Sequence, residues 1–353
     1  MSLYQALQLS PYELKHQMRE GEVQKKNYYL MVLLLRSFLM ILFSIAFIVG
    51  CTTIFGQEQS SLAVVLLCLL LSLRVVDFGY NVKESIVGLG IVFLIFLIVP
   101  QVVGSFQPVI AFIIHFLALI LIFFITSYNR LYGNPSLYSF SYMFLIGTVP
   151  PSSVFSARLT LMILMYLLFS LIYYKKHREK HREHTFRSRM LGENTFNENN
   201  RFLLLLAFGM SVFFFVMAIY PLERFMWAGF ACSSLLAGNH DQLKERSIAR
   251  VIGAVCGSLL FLLVMKFLPA NYWFFIGPIA GFFLGLSTNY RNQTIINCFG
   301  ALLLAQGIYG IQEAAHLRIF TNLFGVAFGV IYLLFMNQTI QYLTNRRISK
   351  SSE

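Results

Sequence analysis

Long runs of Leu, Ile, Val and Phe, broken by short polar stretches, occupy most of the chain between residues 37 and 340. Twelve apolar windows can be drawn: 37–55, 61–79, 85–103, 108–126, 137–150, 155–174, 202–220, 225–238, 251–268, 273–288, 294–311 and 319–340. Several are roughly 18 to 22 residues long and nearly free of charge, which is enough helix to cross about 30 Å of hydrocarbon. Inside a bilayer every backbone N–H and C=O must be satisfied by the chain itself, so each window is predicted to be a helix. The windows at 137–150 and 225–238 are short, and fit tilted, longer or partly re-entrant helices alike. Before the first window, "SLYQALQLSPYELKHQMREGEVQKK" alternates apolar and charged positions, with Leu3, Tyr4, Leu7, Tyr12 and Leu14 suited to the membrane interface and Lys and Arg to water. A surface anchor and a gating element both fit that pattern.

Composition agrees with the windows. Of 353 residues, 58% are hydrophobic and only 12% charged. A soluble chain of this size cannot bury that much apolar surface. The expected fold class is therefore an all-α integral membrane protein of about twelve transmembrane helices. The first 35 residues lack a short apolar core followed by a small-residue cleavage site, so no cleavable signal peptide is expected.

The net charge of +12 would suggest nucleic acid in a soluble protein. Here the positions of the cations explain it without nucleic acid. With a cytoplasmic N-terminus, 22 of the 27 Lys and Arg residues fall in inside segments. Only Arg158, Arg224, Lys266 and Arg318 fall outside, and Arg74 lies within a window. This is the asymmetry of the positive-inside rule, and it places both termini on the cytoplasmic side of a multi-pass protein of the cytoplasmic membrane. The basic linker "YYKKHREKHREHTFRSR" (Tyr173–Arg189) reads as a solvated connector that touches anionic lipid. Its His177, His181 and His184 are interleaved with Lys and Arg, which would repel a metal cation. The five cysteines fall in or beside apolar windows, form no metal-type pair and read as small hydrophobes. No metal, cofactor or disulfide is expected.

The linker separates two sets of six windows. "FFITSYNRLYGNPSLYSFSYMFLIG" (Phe123–Gly147) and "FFLGLSTNYRNQTIINCFGALLLAQG" (Phe282–Gly307) align at an offset of 160, which pairs Ser127 with Ser287, Asn129 with Asn289 and Gly147 with Gly307. "KESI" (Lys83–Ile86) echoes "KERSI" (Lys244–Ile248) at the start of the third window of each set. The predicted organisation is a cytoplasmic N-terminal segment at 1–36, a first six-helix repeat at 37–174, a linker at 175–201, a second repeat at 202–340 and a tail at 341–353. An even number of spans gives both repeats one orientation, related by an axis along the membrane normal.

Candidate chemistry concentrates at a few charged positions. "KERSIARVIGAVCGSLL" (Lys244–Leu260) sets Arg246 and Arg250 on one helical face, one turn from Gly253 and Gly257. The glycines allow close helix approach. The arginines, beside Glu245 and one turn after Asp241, fit an ion-pair brace, a topology marker or the mouth of an anion pathway. "LLSLRVVDFGYN" (Leu70–Asn81) sets Arg74 and Asp77 three apart near the cytoplasmic end of the second window. Either the two neutralise each other, or Arg74 faces a cavity and meets a substrate carboxylate while Asp77 tunes it or carries a proton. "SSLLAGNHDQ" (Ser233–Gln242) brings Asn239, His240 and Asp241 to a similar depth in the second half. Asn129, Arg130, Asn289 and Arg291 line the matching inner turns. No phosphate-binding glycine loop, nucleophile elbow or HExxH is present, and no enzyme is expected.

The pattern Glu245-Arg246-x-x-x-Arg250-x-x-Gly253-x-x-x-Gly257 resembles the signature of the fusaric acid resistance, or aromatic acid exporter, superfamily, with the aluminium-activated malate channels as distant relatives. As in that family, it follows the second span of a six-span unit. Ala254 stands where the family usually has threonine. In the first half Lys83 and Glu84 remain, but Gly88 stands where Arg250 would align. The resemblance implies export of a small organic anion, often an aromatic carboxylate. The channel relatives imply passive anion flow, and a role in envelope assembly is the reading outside transport. Membrane lipids are expected partners. A monomer and a homodimer both remain open.

Overall fold

A computed structural model describes residues 2–20, 23–129, 133–190, 197–238 and 242–351, with 23–24 and 340–351 as backbone only. The described residues form α-helices joined by short 3-10 turns and loops, with no strand among them. In chain order the helices are α1 (Leu3–Gln8), α2 (Pro11–Glu20), α3 (Val23–Phe55), α4 (Ser60–Leu73), α5 (Val82–Val102), α6 (Pro108–Thr126), α7 (Pro135–Ile146) and α8 (Phe155–His177). They continue as α9 (Phe186–Met190), α10 (Glu198–Ile219), α11 (Phe225–Leu236), α12 (Leu243–Phe267), α13 (Ile276–Leu286), α14 (Tyr290–Tyr309) and α15 (Ile311–Ser351). Helix starts follow local chemistry. Asn81 accepts from the Glu84 N–H at 3.0 Å to cap α5, Asn197 caps α10 in the same way, and Pro108 and Pro135 open α6 and α7.

Among the described residues, seven helical stretches are long and apolar enough to cross a membrane: Lys25–Phe55, Val82–Ser105, Pro108–Thr126, Ser152–His177, Glu198–Ile219, Leu243–Phe267 and Ile311–Thr339. Gln57–Leu73, Phe225–Leu236 and Ala270–Leu286 are apolar but shorter. This differs from twelve full crossings. The second, fifth, eighth and tenth windows hold helices of 14, 12, 12 and 11 residues, well short of the ~20 that span a bilayer. The eleventh window is helical as α14, but Arg291, Asn292, Gln293, Asn297 and Gln306 dilute its apolar character.

The chain divides into two compact units that do not follow the two sequence halves. One comprises Met1–Phe47 and His240–Val326, the other Ile48–Asn239 and Ala327–Glu353. In the first unit α12 lies along α14, and α13 packs on α14. Ala6, Leu14, Val32 and Leu33 form a small core that Leu286 joins, so the N-terminal helices are seated on protein as well as suited to an interface.

In the second unit α10 lies against α6 and α11, α5 against α6 and α8, and α7 against α4 and α11. Gly229 and Gly147 take up Met143 and Met226 across the contact of α7 with α11. His115 of α6 shares a 2.7 Å hydrogen bond with the Tyr142 hydroxyl and stacks on Phe214, ring centroids 4.1 Å apart. Arg158, near the start of α8, is fully buried. Its Nε, Nη1 and Nη2 have no hydrogen-bond partner among the described residues.

Candidate functional site

In the first unit the glycine notch performs the role its spacing predicts. A Cβ on Gly253 would stand 2.6 Å from the Thr294 Cβ and 3.1 Å from the Arg291 carbonyl oxygen. One on Gly257 would stand 2.7 Å from the Ile295 oxygen and 2.9 Å from the Cys298 Cβ. Only glycine lets α12 approach the α14 backbone this closely, and the gain is dispersion and backbone contact, the forces available between helices in lipid. The thiol of Cys298 faces the Gly253 and Ala254 carbonyls at 3.9 and 3.8 Å.

Three arginines gather around this notch. Arg246 places its guanidinium 4.9 Å from the Tyr290 ring centroid, a cation–π contact at the start of α14. Arg250, one turn further along α12, is half-buried. Arg318 of α15 is 4% exposed, lies against Cys298 and is within Coulombic reach of Arg250. Sequence reasoning took Arg318 for an outside topology marker. Its place beside the notch depends on which helix neighbours α12 and α14, and no motif encodes that. Glu245 is exposed, and no ion pair joins it to Arg246 or Arg250 among the described residues. The glutamate half of the expected brace is therefore not formed. Asn239, His240 and Asp241 lie outside the described residues.

The same unit holds a cavity of about 570 Å³ between α12, α13 and α14. Lys15 of α2, Ser287, Thr288, Asn289 and Asn292 form its polar part. Ile279, Ala280, Phe283, Ile296 and Phe299 are among its apolar walls. Asn289 accepts from the Arg291 N–H at 2.9 Å and so caps α14, with Gln293 donating to the Ser287 carbonyl at 3.1 Å. Asn289 thus reaches the cavity, while Arg291 is exposed and does not line it.

The other predicted residues belong to the second unit. Helix α4 ends at Leu73, so Arg74 is a helix C-cap with an exposed side chain rather than a residue inside a span. Asp77 does not pair with Arg74. It takes Lys180 at 3.1 Å and His181 at 3.1 Å, and accepts from the Gly79 N–H. Burial pushes its carboxyl up, but the Lys180 hydrogen bond and the charges of Lys180 and His181 outweigh burial and hold it below the usual range.

The basic linker is therefore docked. The Asn81 N–H donates to the His184 carbonyl at 2.7 Å, and the Phe186 N–H donates to Glu84. His177 meets the Leu73 carbonyl at 2.8 Å, and Arg189 donates to the Tyr128 hydroxyl at 2.8 Å. Its first part is a clamp over the 74–81 loop and the start of α5, where a solvated connector was expected. The Asn129 carbonyl accepts from the Gly133 N–H, and Asn199 donates to the Ser127 and Tyr128 carbonyls beside it. Arg130 lies outside the described residues.

Residues 210–332 match the family model described as fusaric acid resistance protein-like. The match lies in the second half of the chain and covers about a third of its length. The matched stretch runs from within α10 to within α15 and contains Arg246, Arg250, Gly253, Gly257, Arg291 and Arg318. No curated protein and no solved structure matches the chain. With its apolar helices, the fusaric acid resistance-like stretch makes this a multi-pass membrane protein.

Proposed function

We propose that the protein exports a small organic carboxylate, aromatic or aliphatic, across the cytoplasmic membrane. One observation carries this reading. Arg250 and the buried Arg318 lie within Coulombic reach of each other beside the Gly253–Gly257 notch, inside the family-matched stretch and on helices long enough to cross the membrane. Like charges gathered at membrane depth are expensive, and they mark a route or a site for an ion of opposite sign. Arg246, one turn nearer the start of α12, extends the cationic surface and serves as its entrance. The 22-to-4 division of cations along the sequence supports a cytoplasmic entrance.

The test is flux in proteoliposomes with a panel of aromatic and aliphatic carboxylates, with and without a pH gradient. Carboxylate flux that requires the gradient is the expected result. Flux that follows voltage alone marks a passive channel. Absence of flux from folded protein would move the assignment to envelope assembly.

A further inference from the structure

We infer that the 570 Å³ cavity of the first unit is the substrate's resting site, that it takes an elongated amphipathic carboxylate, and that Lys15 of the N-terminal segment recognises its head. This rests on the transport reading above. The cavity is the size of sites that hold small ligands, which are usually mostly apolar with a few convergent polar groups. Its polar residues are grouped. Ser287, Thr288, Asn289 and Asn292 are close in sequence at the turn into α14, and Lys15 joins them from α2. Its apolar walls follow α13 from Ile276 to Leu286, roughly 16 Å of helix. Phe283 and Phe299 lie along that length.

The polar end suits an anion for two independent reasons. Lys15 is half-buried and makes no ion pair among the described residues. Its acidic neighbours on α2 are engaged elsewhere: Glu13 accepts from the Ser10 N–H at 2.7 Å, and Glu20 pairs with His16 at 3.1 Å. The second reason is the positive dipole end of α14, a 20-residue helix starting at Asn289–Asn292, with the Arg291 N–H itself taken by the Asn289 side chain. An ammonium and a helix N-terminus lie at one end of an open apolar groove, whose Ile279 and Phe283 walls are exposed. A carboxylate head there and an aryl or alkyl body along α13 satisfy both ends. The N-terminal segment is then part of the recognition site, fixed there by the Leu14, Val32 and Leu286 core.

The experiment measures binding of ω-phenylalkanoates of increasing chain length to the purified full-length protein. Wild type is expected to gain about fourfold in affinity per methylene until the slot is filled. Lys15→Gln should weaken every member by about tenfold without changing the increment, and Lys15→Arg should restore most of the loss. Ala280→Trp, which fills the slot, should abolish the increment. Native mass spectrometry of the same samples reports any retained phospholipid. Unchanged binding in monodisperse Lys15→Gln and Ala280→Trp protein overturns the site. So does a phospholipid that the carboxylates do not displace. Flux in these two variants separates the claims. Wild-type flux in both, with flux lost in Arg246→Gln/Arg250→Gln, removes the site and leaves the transport reading intact. No flux from any form removes both.

Discussion

Single residues decide how closely the helices of the first unit approach. Gly257→Val would drive a branched side chain into the Ile295 carbonyl and Cys298, both under 3 Å from its Cβ. Overpacking against backbone of this kind is expected to cost about 2–4 kcal/mol, read as a fall in thermal midpoint in detergent. Gly300→Ala is the contrast. Nothing lies within 4 Å of a Cβ there, so the change should be neutral or stabilise α14 by up to about 1 kcal/mol.

Arg158 is the residue whose charge the second unit does not answer. It is fully buried with three nitrogens lacking partners among the described residues. Arg158→Met keeps much of the volume and removes the charge, and should raise the thermal stability by roughly 1–3 kcal/mol. A fall in stability would show that the guanidinium is held by something it needs.

At this scale the glycine notch and the Arg246–Arg250 face were legible, because their spacing is local to one helix. Arg318 and Lys15 were not, because each acquires its neighbours only when α15 or α2 is placed beside helices far away in sequence.

Among the elements, the docked linker differs most from its sequence reading. Its composition is that of a solvated connector, and a run of cations carries no sign of what it will meet. Asp77 supplies the sign. Its lowered pKa means that the ionised carboxylate binds Lys180 and His181 best. The contribution is complete above the ordinary carboxylate value near 4 and is lost as pH falls through the lowered value. Asp77→Asn removes it at every pH. We expect about 1 kcal/mol of local destabilisation, seen as several-fold faster tryptic cleavage between Lys175 and Arg189 at neutral pH. Equal cleavage in variant and wild type would mean that the backbone contacts of His184 and Phe186 hold the linker alone.

The helices themselves were legible as apolar windows. Their lengths were less so, since hydropathy continues past Leu73 into a loop. That loop is held by side chains such as Tyr173, whose hydroxyl accepts from the Phe78 N–H at 2.9 Å.

For the whole molecule, hydropathy and charge asymmetry were enough to read a polytopic helical protein, and the family match over residues 210–332 agrees with the motif read from Glu245 to Gly257. The division into units was not readable. It joins α1, α2 and the first part of α3 to α12–α14, and so draws the N-terminal segment into the unit that carries the arginines and the cavity. The pairing of Ser127 with Ser287 at an offset of 160 is silent on which segments later pack together.

The central claim is that these arginines serve an anion pathway. The most direct measurement is carboxylate-dependent charge movement in proteoliposomes, comparing wild type with Arg246→Gln/Arg250→Gln at matched protein density. The account predicts a wild-type signal that falls at least tenfold in the double variant while helix content and monodispersity are unchanged. An equal signal from both proteins would contradict it, and would leave those arginines as topology markers beside a packing notch.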